Sequence, residues 1–216
     1  MQNQLSGLNM LKDDDNKNDN HGERYDSIAQ AFADMRDSFN TEKKYLDLFL
    51  EHLKERKDVL DVGCGSGHPI ASYLIQNGCN VTGVDSSKEL LSIAKSKCPA
   101  MKQIYGDVRT VNINQKFDGI IEWWCLFHLP KEDHKKMIAR FASWLNKDGI
   151  LEFTTGDSEY AASDSAMLNT ELSFYSLDPI AYEQCLKRNG FKVLLREHDQ
   201  EQHLVWIAQY IGSPLT

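Results

Sequence analysis

The chain has no apolar run approaching the about 18 residues that a membrane-spanning helix needs. Its first twenty residues, MQNQLSGLNMLKDDDNKNDN, lack a cationic segment followed by an apolar one, so no secretory leader is read there. Cysteine is sparse and scattered: Cys64, Cys79, Cys98, Cys125 and Cys185, an odd number without a CxxC pair. That pattern excludes a disulfide framework and a zinc site, so no metal is expected and the thiols read as those of a reduced cytoplasmic protein. Positive charge is also short. Lys plus Arg is 24 against 32 Asp plus Glu, a net charge of −8, which argues against a broad grip on nucleic acid phosphates. What remains is an ordinary globular composition, 41% hydrophobic and 26% charged over 216 residues, enough for one domain with a large core and no staples.

Residues 1–22 are polar and rich in Asp and Asn, and read as a flexible tail; the domain is expected over 23–216. Residues 24–38 and 41–54 carry apolar side chains at three- and four-residue spacing, which predicts two amphipathic helices, the second capped by Thr41. From Asp58 the chain alternates. Apolar runs at 59–62, 81–84, 102–105, 117–123 and 149–154 predict strands, and helices are expected at 69–76, after a Ser86/Glu89 capping box, at 131–145, and from Asp178-Pro179 to Gly190. Residues 191–196 and 203–211 read as a closing antiparallel pair. Strands alternating with helices imply an α/β fold, a doubly wound parallel sheet covered on both faces. Residues 156–177 lack clear periodicity and are expected to be a substrate lid or, in the plainer reading, a surface excursion with a helix around Asp164–Leu172.

The segment Val59-Leu-Asp-Val-Gly-Cys-Gly-Ser-Gly-His-Pro69 is the most informative. It is a buried strand, then glycines at 63, 65 and 67, then a helix start. At the carboxyl end of the first strand such a turn lets a ligand approach the backbone closely. A dinucleotide site needs G-x-G-x-x-G, but His68 stands where the third glycine belongs, and no Gly-Lys-Ser/Thr ends a P-loop. Asp61 would repel a pyrophosphate and suits a cationic ligand. Asp85, 24 residues on, ends the second strand where a carboxylate accepts from both ribose hydroxyls. The expected ligand carries a ribose and a cationic amino-acid portion.

DVGCGSG, the acid of VTGVDSS, the GDV at 106–108 and the strand FDGIIEWWCLFHLP together resemble the class I, Rossmann-like, S-adenosylmethionine-dependent methyltransferases, over roughly residues 24–211. The resemblance implies a seven-stranded, mostly parallel sheet with a reversed last strand, helices on both faces and an N-terminal helical cap. It implies S-adenosyl-L-methionine as cofactor and S-adenosyl-L-homocysteine as product. Gly63, Cys64, Gly65 and Gly67 would line the methionine part, with Asp61 holding the turn and helping the ammonium. Asp85 would take the ribose hydroxyls, Ser86 would lie beside the adenine, Asp107 would accept from its amino group, and the Val108 backbone would meet the ring edge. Glu122 and Trp123 would face the sulfonium, and Tyr25 would close over the cofactor. Among these, Cys64 reads as a small filler and not a nucleophile, Asp107 reads as a ligand group ahead of a turn residue, and Tyr25 reads equally as core.

Methyl transfer is an in-line displacement, accelerated by positioning the acceptor and excluding water. A hydroxyl, a protonated amine or an activated carbon also calls for a general base. His128, just past the fourth strand, is the candidate, its plainer reading being a helix cap. Trp124, Asp157, Tyr160 and Tyr175 are candidates for touching the acceptor. Alternation along a strand puts Trp123 and Trp124 on opposite sides, so at most one of them is expected to face the site. The reading is methyl transfer to a small-molecule acceptor, with neither nucleic acid nor membrane as partner. The alternatives are a protein or RNA methyltransferase and a non-catalytic cofactor-binding protein of the same fold. Glu122-Trp-Trp-Cys stands where nucleic acid amino-methylating enzymes commonly carry Asn/Asp-Pro-Pro-aromatic, and the first alternative is weaker for it.

Overall fold

Val59, Leu60, Asp61 and Val62 are all buried in succession, as a strand covered on both faces requires. They belong to β2 (Asp58–Val62), the centre of an open sheet in a computed structural model that describes residues 9–10, 21–38, 41–55 and 57–212. Two helices precede it, α1 (His21–Met35) and α2 (Glu42–Leu53), after a short strand β1 (Asn9–Met10). Beyond it run α3 (Ile70–Gln76), β3 (Asn80–Asp85), α4 (Lys88–Lys97), β4 (Lys102–Tyr105) and β5 (Phe117–Glu122). A 3-10 turn at Leu126–His128 leads to α5 (Lys131–Trp144), β6 (Leu145–Thr155), β7 (Tyr160–Met167) and β8 (Thr170–Ser176). The described chain closes with α6 (Pro179–Arg188), β9 (Phe191–His198) and β10 (Leu204–Tyr210).

The main sheet has seven strands in the order β4-β3-β2-β5-β6-β10-β9. Neighbours from β4 to β6 are parallel, and β10 runs antiparallel to both β6 and β9. This is the α/β Rossmann-like arrangement with a reversed last strand. Period-two alternation divides its core. Leu60, Ile120, Phe153 and Trp206 pack under α5 and α6 with Phe141 and Tyr182. Val59, Ile121, Ile150 and Ile207 pack under α2 and α3 with Leu46, Phe49 and Leu74. Helix α1 docks on α4 through Ala29, Ala33 and Leu90. Among the described residues no helix is long and apolar enough to cross a membrane.

Several expectations shift. Helix α1 starts at His21, ahead of Glu23, and Gly22 is buried in it: a Cβ there would lie 2.4 Å from the Ser86 carbonyl oxygen. The rest of the expected tail, residues 1–8 and 11–20, lies outside the described residues. Thr41 precedes α2 but caps nothing; its hydroxyl donates to Asp199 Oδ2 at 3.4 Å. The cap of α4 is Ser87, not Ser86. Ser87 Oγ accepts from Leu90 N at 3.1 Å and donates to Asp26 Oδ1 at 2.6 Å, which also receives Glu89 N, so α1 is tied to the start of α4. Residues 156–177 contain no helix. They fold as the hairpin β7–β8, extended by β1 into a separate three-stranded sheet.

Candidate active site

The turn after β2 is built on positive backbone angles at Gly63, Gly65 and Gly67. At Gly63 (φ 72°) a side chain would also collide with Cys125, whose Cβ lies 2.5 Å from the position a Cβ would take. Four N–H groups of this turn are spent internally. Gly63 N and Cys64 N donate to Val84 O, Gly67 N to Cys64 O, and Gly65 N to Asp85 Oδ2 at 2.8 Å. A phosphate-cradling loop presents such groups outward, so this turn is a poor pyrophosphate site. Asp85 Oδ1 accepts from Ser87 N at 2.8 Å, so each carboxylate oxygen holds one backbone donor and keeps a lone pair for a ligand.

Around the turn lies a cavity of about 540 Å³. Of the expected residues, Tyr25, Asp61, Gly63, Cys64, Gly65, Asp85, Ser86, Asp107, Val108, Trp123, Trp124 and His128 line it. Gly67 supports the turn from behind, against Cys98 and Met101. Asp61 is 3% exposed and no hydrogen-bond donor reaches its carboxyl among the described residues. Burial, then the neighbouring Asp85 and Glu122, push its pKa up to about 7, against the pull of Arg36. Arg36 also lines the cavity. Its guanidinium pairs with buried Glu42 and sits 4.8 Å over the Trp124 ring, yet its Nη1 is buried without a hydrogen-bond partner among the described residues. Asp107 is held differently than expected. Burial works against its charge, but the Arg109 guanidinium engages both oxygens at 2.6–3.0 Å and keeps its pKa below the usual range.

Glu122 does not line the cavity. It is fully buried and clamps the exit of β5: Oε1 accepts from Cys125 N and Leu126 N, each at 2.6 Å, and Oε2 from Thr154 N at 3.2 Å. Burial raises its pKa to about 7 despite those bonds. The strand therefore ends at Glu122, and Trp124 takes a left-handed backbone (φ 63°) with its N–H on Thr154 Oγ1 at 2.9 Å. Alternation stops there, so both tryptophans reach the cavity wall, against the expectation of one.

His128 sits on the 3-10 turn after β5. Its Nδ1 lies 3.0 Å from the carbonyl oxygen of Ser173 in β8, and its Nε2 lies 2.9 Å from the Tyr25 hydroxyl. A carbonyl only accepts, so Nδ1 donates to it, which in the neutral tautomer leaves Nε2 as the acceptor of the Tyr25 hydroxyl. Burial holds Tyr25 well above the ordinary phenol range, so it stays a phenol.

The acceptor candidates in the hairpin are out of phase. Asp157 is exposed and accepts from Ser158 Oγ at 3.1 Å. Tyr160 packs on Gly156, and Tyr175 is buried on the opposite face of β8, away from the cavity. Phe174 and Met167 line the cavity instead, together with Phe127 and His21. Sequence reasoning passed over these and Arg36. The signal for Arg36 was present: Tyr25, Phe32 and Arg36 stand at i, i+7 and i+11, one face of a helix.

Residues 29–196 match the family model described as a methyltransferase domain. An uncharacterized methyltransferase of Bacillus cytotoxicus is 24% identical over 212 residues, covering 87% of this chain and 98% of the relative. Among solved structures, the Burkholderia thailandensis 1,6-didemethyltoxoflavin-N1-methyltransferase, with bound 1,6-didemethyltoxoflavin and S-adenosylhomocysteine, aligns with a TM-score of 0.72 at 18% identity over 94% of each chain. A SAM-bound amino pentose methyltransferase from Micromonospora echinaspora aligns with a TM-score of 0.65 at 16% identity, over 85% of this chain and 96% of that one. On the match across most of its length, with the glycine turn and cavity built where the sheet opens, the chain belongs to the methyltransferase domain family.

Proposed function

We propose that the protein transfers a methyl group from S-adenosylmethionine to a small-molecule acceptor and releases S-adenosylhomocysteine. One observation carries the reading. Among the described residues, a buried carboxyl without a donor (Asp61) and a buried guanidinium nitrogen without an acceptor (Arg36 Nη1) share the wall of one cavity, complementary to the ammonium and carboxylate of an amino acid. Asp85 is assigned to the ribose hydroxyls through its remaining lone pairs, Ser86 to the adenine side, and the Val108 backbone to the ring edge. Asp107 reaches the adenine amino group by exchanging an Arg109 contact for it. Gly63, Cys64, Gly65 and Trp123 bound the methionine arm. Bound there, the cofactor supplies an electrophilic methyl on sulfur, which departs as a neutral thioether. The bound S-adenosylhomocysteine of the Burkholderia neighbour supports the cofactor, and its ligand supports a small acceptor. Five free thiols fit a cytoplasmic setting.

Asp61 gives this reading a pH signature. Its pKa in the free protein is about 7, and a bound ammonium lowers it. Binding therefore favours the ionised form. Affinity is expected to rise as pH increases toward about 7, to level off above it, and to release a proton below it. Calorimetry in buffers of different ionisation heats measures both; a flat profile from pH 5 to 8, near saturation of neither form, contradicts the Asp61 assignment.

Tyr25 and His128 are assigned to the acceptor's proton. As the acceptor releases it, the Tyr25 hydroxyl takes it up and passes its own proton to His128 Nε2, and the resulting imidazolium keeps Nδ1–H on Ser173. Nitrogen NMR of the full chain labelled at histidine is expected to show His128 with Nδ1 protonated and Nε2 bare. Turnover of an acceptor is expected to fall about 100-fold in His128→Asn with cofactor affinity retained. A His128 protonated at Nε2 in the neutral ring overturns the relay.

A further inference from the structure

The charged groups on the cavity wall are unevenly placed. Asp61 and Asp85 flank the glycine turn, and Asp107 with Arg109 follows β4. Arg36, the other cation, is paired with Glu42 and stacked on Trp124. The opposite lobe, between α1, the 3-10 turn and the β7–β8 hairpin, is lined by rings and thioethers. Phe127, His128 and Phe174 pack mutually, with centroids 4.7, 5.0 and 5.5 Å apart, and Met167 adds a further apolar contact. Neither carboxylate nor ammonium lines this lobe among the described residues; its polar side chains are the Tyr25–His128 pair and His21, whose ring lies 4.6 Å from that of His128.

We infer that the acceptor is a planar aromatic molecule, uncharged before reaction, that presents a ring N–H or an aromatic hydroxyl to Tyr25. The inference rests on the proposed function and narrows its substrate class. Three arguments support it. An ammonium or a carboxylate brought into this lobe would lose its hydration and meet no carboxylate, ammonium or guanidinium among the described residues that line it, so charged acceptors are disfavoured. Rings prefer offset or edge-on contact with other rings, and the Phe127–His128–Phe174 cluster presents both faces and edges. The thioether of Met167 adapts to a flat ring, and sulfur–aromatic contacts are favourable. The hydrogen-bonded pair also suits only a nucleophile that must lose a proton. In the step, the acceptor's oxygen or nitrogen lone pair forms the bond to the methyl carbon, the carbon–sulfur bond breaks with its pair going to sulfur, and the acceptor's proton ends on His128 through Tyr25.

The test uses a matched set of four molecules: 2-naphthol, 2-naphthylmethylamine (cationic near neutral pH), 2-naphthoate (anionic) and 2-decalol (uncharged, not aromatic). Their affinities for the full chain are measured by calorimetry, with and without saturating S-adenosylhomocysteine. Saturation by the nucleoside is checked first and separately, so its failure counts against the cofactor and not against the acceptor class. The expected order places 2-naphthol about tenfold or more ahead of each of the other three. Phe174→Ala is expected to weaken 2-naphthol about tenfold while leaving S-adenosylhomocysteine affinity unchanged. Tyr175→Phe, on the opposite face of β8, leaves both as they are. The inference is overturned if a charged isostere or 2-decalol binds as well as 2-naphthol, or if Phe174→Ala leaves 2-naphthol unaffected.

Discussion

Asp85→Ala is expected to weaken S-adenosylmethionine binding by about 100-fold or more. The carboxylate performs two tasks at once. Its Oδ2 holds Gly65 N and its Oδ1 holds Ser87 N, both at 2.8 Å, so it joins the glycine turn to the start of α4. Its remaining lone pairs are those assigned to the two ribose hydroxyls. A hydrogen bond to a charged group contributes about 1.5–3 kcal/mol, so losing two reaches the stated factor before any loosening of the turn is counted. Burial raises the pKa of Asp85 while the backbone donors oppose the rise, so the group also becomes less charged as pH falls. Asp85→Asn separates the tasks. Its amide oxygen can keep one backbone donor, so it should melt near the parent chain while still binding the nucleoside weakly. An alanine variant that melts like the parent and binds S-adenosylmethionine unchanged removes the ribose assignment.

Glu152→Leu should instead stabilise the protein by about 1–3 kcal/mol at neutral pH, a rise in melting temperature of about 5 °C. Glu152 lies in β6 between Ile121 and Ile207 on the neighbouring strands. It is 0% exposed, and neither carboxyl oxygen has a hydrogen-bond partner among the described residues. Burial holds its pKa well above the ordinary 4.5. The folded state therefore keeps a proton that the unfolded chain gives up. Stability conferred by that proton is full below about pH 4.5 and is lost as pH rises toward the folded-state pKa. Asp61 and Glu122, each raised to about 7, add the same sign between their ordinary values and about 7. Glu152→Gln should flatten part of this slope without the full gain of the leucine. Thermal melts from pH 5 to 8 measure both effects; a leucine variant less stable than the parent at every pH contradicts the description of Glu152 as unpartnered.

The order of strands and helices was legible because each buried strand is a short apolar run and each turn carries its own stop residue. Gly78 and Gly190 stand at positive φ just past α3 and α6, and Asp178 accepts from Ile180 N at the start of α6, as their sequence neighbours suggested. The hairpin β7–β8 was not legible. Its two-residue turn puts both Leu168 and Asn169 at positive φ, a conformation usually marked by Asn-Gly or Asp-Gly. Without that mark the strand phase was lost, and with it Phe174 was passed over for Tyr175. Ser86 and Ser87 are adjacent, and the choice between them was made by Asp85, whose carboxylate takes the Ser87 N–H and swings that residue into the cap. Glu122 was misread for a related reason. A carboxylate at a strand end resembles a ligand group, and only the fold around it supplied three backbone donors. That Asp61 and Asp85 line the cavity was readable because one precedes the glycine turn and the other ends the next strand, whereas Arg36 comes from the end of a helix packed across the site.

The most direct measurement is a calorimetric titration of the full chain with S-adenosylmethionine, run beside NADH and ATP. Saturable uptake of one S-adenosylmethionine per chain, with neither of the phosphate-bearing nucleotides retained, is the predicted outcome. Tight NADH or ATP binding with S-adenosylmethionine ignored would mean that the turn after β2 grips phosphate after all, and that Asp61 and Arg36 face something other than an amino acid.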